Sequence, residues 1–346
     1  MLTLSDASYD TKEILKWGGI FIAALVIIVT SILFIKQTFF PTPPPKPTMA
    51  FGKLTPQIFP KNAMDKTPTY TINTLTGTLP GAVDLIKVYK IQPAVPDLLN
   101  LSNAKDMVQK ANFTQGPNKI SDVLYDWTGT ADDSSGLQSK ITVNIVNGNF
   151  NITSDYLDHP AIVSGQGLEP QNSAIGDAQA FLANLGTLSA DIDQTKTQTQ
   201  LLSIINGTLA QATSFSSAQV IRVLFYQQNV NKLPIYYENP NASNIDVLVG
   251  TNDKILEANY IHQTVTDQFA TYPMKSTTQA FEDLKQGYAY IASYQGTSSN
   301  IAINDVALGY YIGSEPQDYL MPIFVFKGND NFVAYVPAVT DGWIGK

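Results

Sequence analysis

From Trp17 to Ile35 the chain reads WGGIFIAALVIIVTSILFI, an apolar run without a charge. At 1.5 Å per residue its nineteen positions span about 28 Å, close to the hydrocarbon thickness of a bilayer. Lys16 and Lys36 bracket the run, and Trp17, Phe39 and Phe40 suit the two interfaces. The pattern predicts a transmembrane helix over residues 17–38. It reads as an uncleaved anchor, because the apolar core exceeds that of a signal peptide and no small-x-small cleavage site follows. Pro41, Pro43, Pro44, Pro45 and Pro47 come next. They favour polyproline II, so residues 41–48 form a spacer of roughly 25 Å. Residues 39–68 as a whole are a linker and strap, with Phe51, Leu54, Ile58 and Phe59 available to dock it.

Beyond residue 69 the apolar period alternates between helical and strand spacing. Ala104, Met107, Val108 and Ala111 mark a first helix, with Ser102 or Asn103 as N-cap. A hairpin follows, ITVNIV-NG-NFNITSDY, in which Asn147-Gly148 predicts a type I′ turn with positive φ at both residues. SAIGDAQAFLANLG is a second helix, with Ser173 as N-cap and Gly186 as its stop. Leu201 to Ala212 reads as a further short helix. Strands AQVIRVLFYQQ, LPIYYEN, NIDVLVG and KILEANYIHQTV come next, then a third helix capped by Ser276, then IAINDVALGYYIG, YLMPIFVFKG and NFVAYVPAV. Three rounds of helix followed by antiparallel strands predict an α+β body. Its modules are expected at residues 69–170, 171–270 and 271–346, behind a tail of residues 1–16.

The stretch LPIYYENPNASNIDVLVGTNDKILEANY resembles PepSY units, with Gly250-Thr251-Asn252-Asp253 as a partial match to their polar turn before Lys254. The whole plan is similar to the YycH/YycI type of membrane-anchored regulator, and LGYYIGSEPQDYLMPIFVFKGNDNFVAYVPAV is similar to the ending of such proteins. The proline linker followed by AFGKL resembles envelope proteins of reduced-genome bacteria. These resemblances imply tandem PepSY-like modules, a cytoplasmic N-terminus, an extracytoplasmic body and a regulatory role in the cell envelope. For the YycH/YycI type that role is control of a sensor kinase.

Composition removes several function classes. The net charge is −8 and Arg222 is the sole arginine, so no basic stripe exists to neutralise phosphates and nucleic acid is not an expected partner. Cysteine is absent, which excludes disulfides, thiol catalysis and thiolate-held metals. The two histidines, His159 and His262, lack motif partners and read as solvated or hydrogen-bonded side chains. Asp191-Ile-Asp193-Gln-Thr195 begins like a calcium loop but has Lys196 where glycine is wanted and Leu202 where glutamate is wanted. It reads as a polar loop. No phosphate loop, dinucleotide fingerprint or nucleophile elbow occurs, and no cofactor, metal site or catalytic residue is expected.

The expected function is therefore binding rather than catalysis. A bilayer contact through residues 17–38 would hold the body on the outside of the cell membrane. There it would bind and regulate a protein or peptide partner. Tyr319, Phe324, Phe326 and Tyr335 are the expected partner-binding positions, since aromatic residues on strands can present an edge or face; their alternative role is core packing. A carboxylate-based envelope hydrolase and a structural surface-layer protein are the rival classes.

Overall fold

The computed structural model describes residues 16–18, 20–31, 46–61, 68–130 and 136–345. The chain divides into a unit Met1–Lys46 and a unit Pro47–Lys346.

In the first unit, residues 16–18 and 20–31 are helical and exposed. Thr30 satisfies its hydroxyl by donating to the Val26 and Ile27 carbonyls at 2.8 and 3.0 Å. Among the described residues no helix is long and apolar enough to cross a membrane. Residue 19 and residues 32–38 of the expected span lie outside the described residues, as do the tail 1–15 and the proline run up to Pro45. The expectation of an N-terminal transmembrane helix is corrected on this point.

The second unit runs through β1 (Thr69–Ile72), β2 (Leu85–Ile91), α1 (Asn100–Gln109), β3 (Gln115–Lys119), β4 (Leu124–Thr130), β5 (Gln138–Asn144) and β6 (Phe150–Ser154). Next come α2 (Gln171–Leu185), β7 (Gln198–Ile205), β8 (Thr208–Gln211), β9 (Val220–Phe225), β10 (Ile235–Tyr236), β11 (Ile245–Val249), β12 (Ile255–Tyr260) and β13 (Val265–Pro273). The chain ends with α3 (Thr277–Lys285), β14 (Tyr290–Ser293), β15 (Asn300–Tyr311), β16 (Tyr319–Gly328) and β17 (Val333–Pro337).

These strands form two sheets. A nine-stranded sheet has the order β3-β4-β5-β6-β12-β11-β9-β7-β8, antiparallel throughout. An eight-stranded sheet has the path β1-β15-β16-β17-β14, with β10 also on β15 and the β2–β13 pair joined to β16. Residues 69–170 thus supply β1 and β2 to one sheet and β3 to β6 to the other, and residues 171–270 are likewise shared.

The described body is mostly β-sheet with few helices, which corrects the α+β expectation. Long-range pairing draws polar segments such as QGPNK (β3) and TYTI (β1) into strands. It also overrides the helix expected at Leu201–Ala212, which is the β7–β8 hairpin. That hairpin turns on Asn206 and Gly207, at φ +51° and +76°, the two-residue turn that Asn-Gly favours. At the other Asn-Gly pair only Gly148 is left-handed, at φ +75°. The turn there is longer: the Gly148 N–H donates to the Asn144 carbonyl at 2.8 Å, and Asn144 and Asn149 close the ends at 2.8 Å.

Local capping follows the chemistry of the residues. Ser276 Oγ accepts from the Gln279 N–H at 3.2 Å while Gln279 Oε1 accepts from the Ser276 N–H at 2.8 Å, a reciprocal capping box. Gly186, at φ +76°, ends α2 with Thr187 donating to the Leu182 carbonyl at 2.9 Å. The other two expected N-caps are displaced. α2 begins at Gln171 and α1 at Asn100, neither with a side-chain cap.

Each sheet buries one face under helices. Val108 of α1 and Ala174, Ala178 and Leu182 of α2 pack on Trp127, Ile141, Val223 and Val247 of the nine-stranded sheet. Ala280, Phe281 and Leu284 of α3 pack on Phe324, Phe326 and Val336 of the eight-stranded sheet. The strap docks as expected over its described residues: Leu54 is fully buried, Phe51 stacks on Tyr319, and Phe59 stacks on Tyr290 and packs at a tilt against Tyr311. Ile58 remains exposed.

Candidate functional site

Of the four expected partner-binding residues, only Tyr319 is accessible, half-buried against Phe51 at a ring separation of 5.2 Å. Phe324 and Phe326 lie in the core beneath α3, and Tyr335 lies in a second core with Tyr311, Ile323 and Val325. All three are buried, so these positions pack the fold and present nothing to a partner. The reason is that β16 is covered on both faces. Its run LMPIFVF is buried without alternation, the pattern of a strand inside a sheet rather than on its surface.

The polar chemistry gathers where the two sheets meet. Residues 261–264 link β12 to β13 and so carry the chain from one sheet to the other. They start from the Ile261 N–H, which donates to the Asn244 carbonyl at 2.8 Å. The His262 N–H donates to Asn149 Oδ1 at 3.0 Å. Gln263 is buried and spends its whole side chain on the far sheet: Nε2 donates to the Gly313 and Glu315 carbonyls at 3.1 and 3.0 Å, and Oε1 accepts from the Gln317 N–H at 3.0 Å. Asn244, also buried, donates to the Gly313 carbonyl at 3.1 Å. Gln227, just beyond β9, donates to Asp191 Oδ2 at 2.8 Å and to the Gln263 carbonyl at 3.1 Å. Buried carboxamides with all these partners form a specific weld, because a shifted register would leave several of them unpaired.

Asp191 and His262 close this seam. His262 Nε2 lies 2.8 and 3.0 Å from the two Asp191 oxygens, and the ring stacks on Tyr260 at 5.8 Å. Burial by itself would raise the Asp191 carboxyl. Hydrogen bonds from His262, Ser189 and Gln227, together with the nearby imidazole charge, outweigh it and hold the carboxyl at about 2. The polar-loop reading of this region is what the structure contains next door: Asp193 Oδ1 accepts from the Thr195 N–H and hydroxyl at 3.1 and 2.6 Å. Among the described residues no group of three or more acidic, histidine or cysteine side chains could hold a metal.

The pair separates two cavities. His262 lines one of about 600 Å³, walled by residues 91–95, by Val146, Asn147 and Asn149, and by residues 262–264 and 316–318. Asp191 lines another of about 290 Å³, with Tyr89, Asn231 and Asp267. In the larger groove Asn147 and Asn149 use their Oδ1 atoms internally, and Gln317 uses Oε1 on the Gly313 N–H at 2.9 Å. Among the described residues the amide NH2 groups of all three make no hydrogen bond within the protein. Ile91, Val95 and Pro316 supply apolar wall between them. The arrangement offers neutral hydrogen-bond donors beside aliphatic surface, with Asp318 as its carboxylate.

One consequence of the seam is measurable. A carboxylate with a lowered folded pKa lends stability that is fully present above its unfolded pKa of about 4 and lost as pH falls through the folded value. Asp191→Asn is expected to cost about 1–2 kcal/mol at neutral pH, less than the full shift implies because the side chain is 34% exposed. Its stability should also fall less steeply than that of the natural chain between pH ~4 and ~2. Urea unfolding across that range checks both; parallel curves would detach Asp191 from the seam.

No protein-family model matches this chain, and comparison with curated proteins finds no match. Among solved structures it is similar to the YpeB C-terminal domain of Bacillus megaterium, at 14% identity over 72% of this chain and 95% of that domain, with a TM-score of 0.33. Within the body, helices α2 and α3 each precede antiparallel strands and pack on the sheet those strands build. The Gly250–Lys254 turn, with Asn252 and Asp253 left-handed, joins β11 to β12.

Proposed function

We propose that the body is a regulatory interaction module of the cell envelope, and that it holds an extended segment of a protein partner in the groove between the two sheets. The uncommitted carboxamide donors of Asn147, Asn149 and Gln317 carry this reading. An extended peptide offers a carbonyl at every residue, and neutral NH2 donors match carbonyls without demanding a charged ligand. The aliphatic wall at Ile91, Val95 and Pro316 suits the side chains that alternate with those carbonyls. The groove has no lysine or arginine and sets Asp318 beside neutral amide donors, which fits a peptide better than a phosphate-bearing ligand. The seam behind the groove supports the same reading, since a fully bonded polar network keeps the donors in place before the partner arrives. The similarity to YycH/YycI regulators suggests the finer form, a partner within an envelope signalling complex.

The test uses photocrosslinking in cells. Val95 stands at the groove and is 69% exposed; Ile205, at the β7–β8 turn, is 53% exposed. A photoreactive residue at Val95 should yield one discrete protein adduct, and the same residue at Ile205 should not. Substituting Asn147→Asp and Gln317→Glu together keeps the acceptor oxygens that the fold uses and removes the NH2 donors; it should abolish the Val95 adduct while the protein still melts cooperatively. Equal adducts from both positions, or an adduct indifferent to the double substitution, would overturn the groove as the partner's seat.

A further inference from the structure

The strap is bound to the body in the manner of a peptide ligand. Leu54 is fully buried and bridges in parallel to Ile344. Its N–H donates to the Trp343 carbonyl at 2.8 Å, and the Gly345 N–H donates back to its carbonyl at 2.7 Å. This is a single-residue parallel bridge to the C-terminal segment, the backbone pairing that strand addition uses. Gln57 Nε2 then donates to the Met321 carbonyl at 3.3 Å. Phe59 lies 4.7 Å from the Tyr311 ring and 5.5 Å from that of Tyr290.

Leu54 belongs to the core beneath α3, whereas Phe59 belongs to the core with Tyr311 and Tyr335. The strap therefore passes from one core of the eight-stranded sheet to the other. Gln57 and Phe59 turn inward while Pro56, Ile58 and Pro60 are exposed, the period of an extended chain lying on a surface. Among the described residues the backbone of 55–61 makes no hydrogen bond to the rest of the protein. Pro56 and Pro60 have no N–H to offer. The segment is held by side-chain anchors, and a segment with so few backbone bonds opens without global unfolding.

We propose that the seat of residues 54–59 is a peptide-docking surface filled in cis, and that it accepts the same segment from a second copy of this chain. The occupant follows from the seat itself. Leu54, Gln57 and Phe59 already match it in spacing and chemistry. Exchange of identical elements between copies makes in trans the contacts already made in cis, so little is lost. The strap does not line the groove between the sheets, but Pro316, Gln317 and Asp318 wall both that groove and a pocket beside Thr55, Pro56 and Ile58; the inference stands on the strap's own contacts and does not need the groove's occupant.

The test keeps the full chain. Leu54→Asp and Phe59→Asp are introduced together to unseat the strap, and folding is checked by circular dichroism and cooperative melting. A fluorescently labelled synthetic peptide covering residues 47–61 is then titrated. The variant should bind it saturably. The natural chain should bind at least about tenfold more weakly, because its own strap reduces the fraction of open seats. A peptide carrying Phe59→Asp should not bind. A folded variant that ignores the natural peptide, or a natural chain that binds it equally well, overturns the docking surface.

A second measurement does not depend on the variant folding. The chain has no cysteine, so Ile58→Cys accepts a single dye at an exposed position. Donor- and acceptor-labelled batches mixed at high concentration should develop energy transfer, and excess free 47–61 peptide should abolish it. No transfer at any concentration overturns the second copy as occupant.

Discussion

Phe326→Ala is expected to lower the unfolding free energy by about 3–5 kcal/mol and to leave no folded species that a partner could distinguish from the natural chain. The ring is fully buried at the centre of β16. It is opposite Val306 on β15 and Ala334 on β17, 6.1 Å from the Phe281 ring, with Ala280 and Leu284 of α3 in the same cluster. Deleting it loses the transfer free energy of the ring and leaves a cavity that three paired strands cannot close by shifting. Urea denaturation gives the number. A cost below about 1 kcal/mol is the signature of a surface position and would return Phe326 to the candidate interface.

Arg222→Met is expected to cost about 3–5 kcal/mol at pH 7, and the loss should shrink on acidification. Arg222 sits on β9 and reaches Asp246 Oδ1 on β11 at 2.5 Å and Glu257 Oε2 on β12 at 2.9 Å. Tyr156 adds a hydrogen bond to Glu257 at 3.1 Å. Removing the cation leaves a buried carboxylate facing a second carboxylate with nothing between them. Methionine keeps most of the stem's packing, so the charge is what the substitution tests. The sign of the pH dependence follows from Asp246. Burial raises its carboxyl above the ordinary value even with Arg222 opposing, and Glu257 adds to the rise. A raised folded pKa means that the folded state holds the proton longer than the unfolded chain does. Stability therefore falls as pH rises between the unfolded and folded values. Loss of Arg222 moves the folded value higher still. The variant should regain stability as pH drops through it, with Asp246→Asn in the same background restoring part of the loss at pH 7. A deficit constant with pH would mean that packing, not charge, set the cost.

Partner residues and core residues look alike in a sequence when both are aromatic and on strands. The discriminating signal in YLMPIFVF was the lack of alternation, which marks a strand buried on both faces. Asp191 and His262 posed the opposite problem. Each is unremarkable locally, and 71 positions separate them in the chain. Neither spacing nor composition could have joined them. Gln227 and Gln263 are similarly ordinary polar residues until burial obliges them to find partners.

What the residues determined unaided is local. The Ser276–Gln279 box, the Gly186 stop and the left-handed Gly250–Lys254 turn were legible because each depends on side-chain oxygens or on positive φ within a few residues. The docking of Phe51, Leu54 and Phe59 was legible because apolar side chains in a linker must be buried somewhere. Tertiary structure decided the rest. It drew Leu201–Ala212 into a hairpin, moved β1 and β2 onto the C-terminal sheet, covered both faces of β16 and brought Asp191 to His262. In each case the deciding energy comes from area buried or polar groups satisfied against residues far along the chain. A short window of sequence carries neither quantity, because both belong to the pairing of strands and not to the strands themselves.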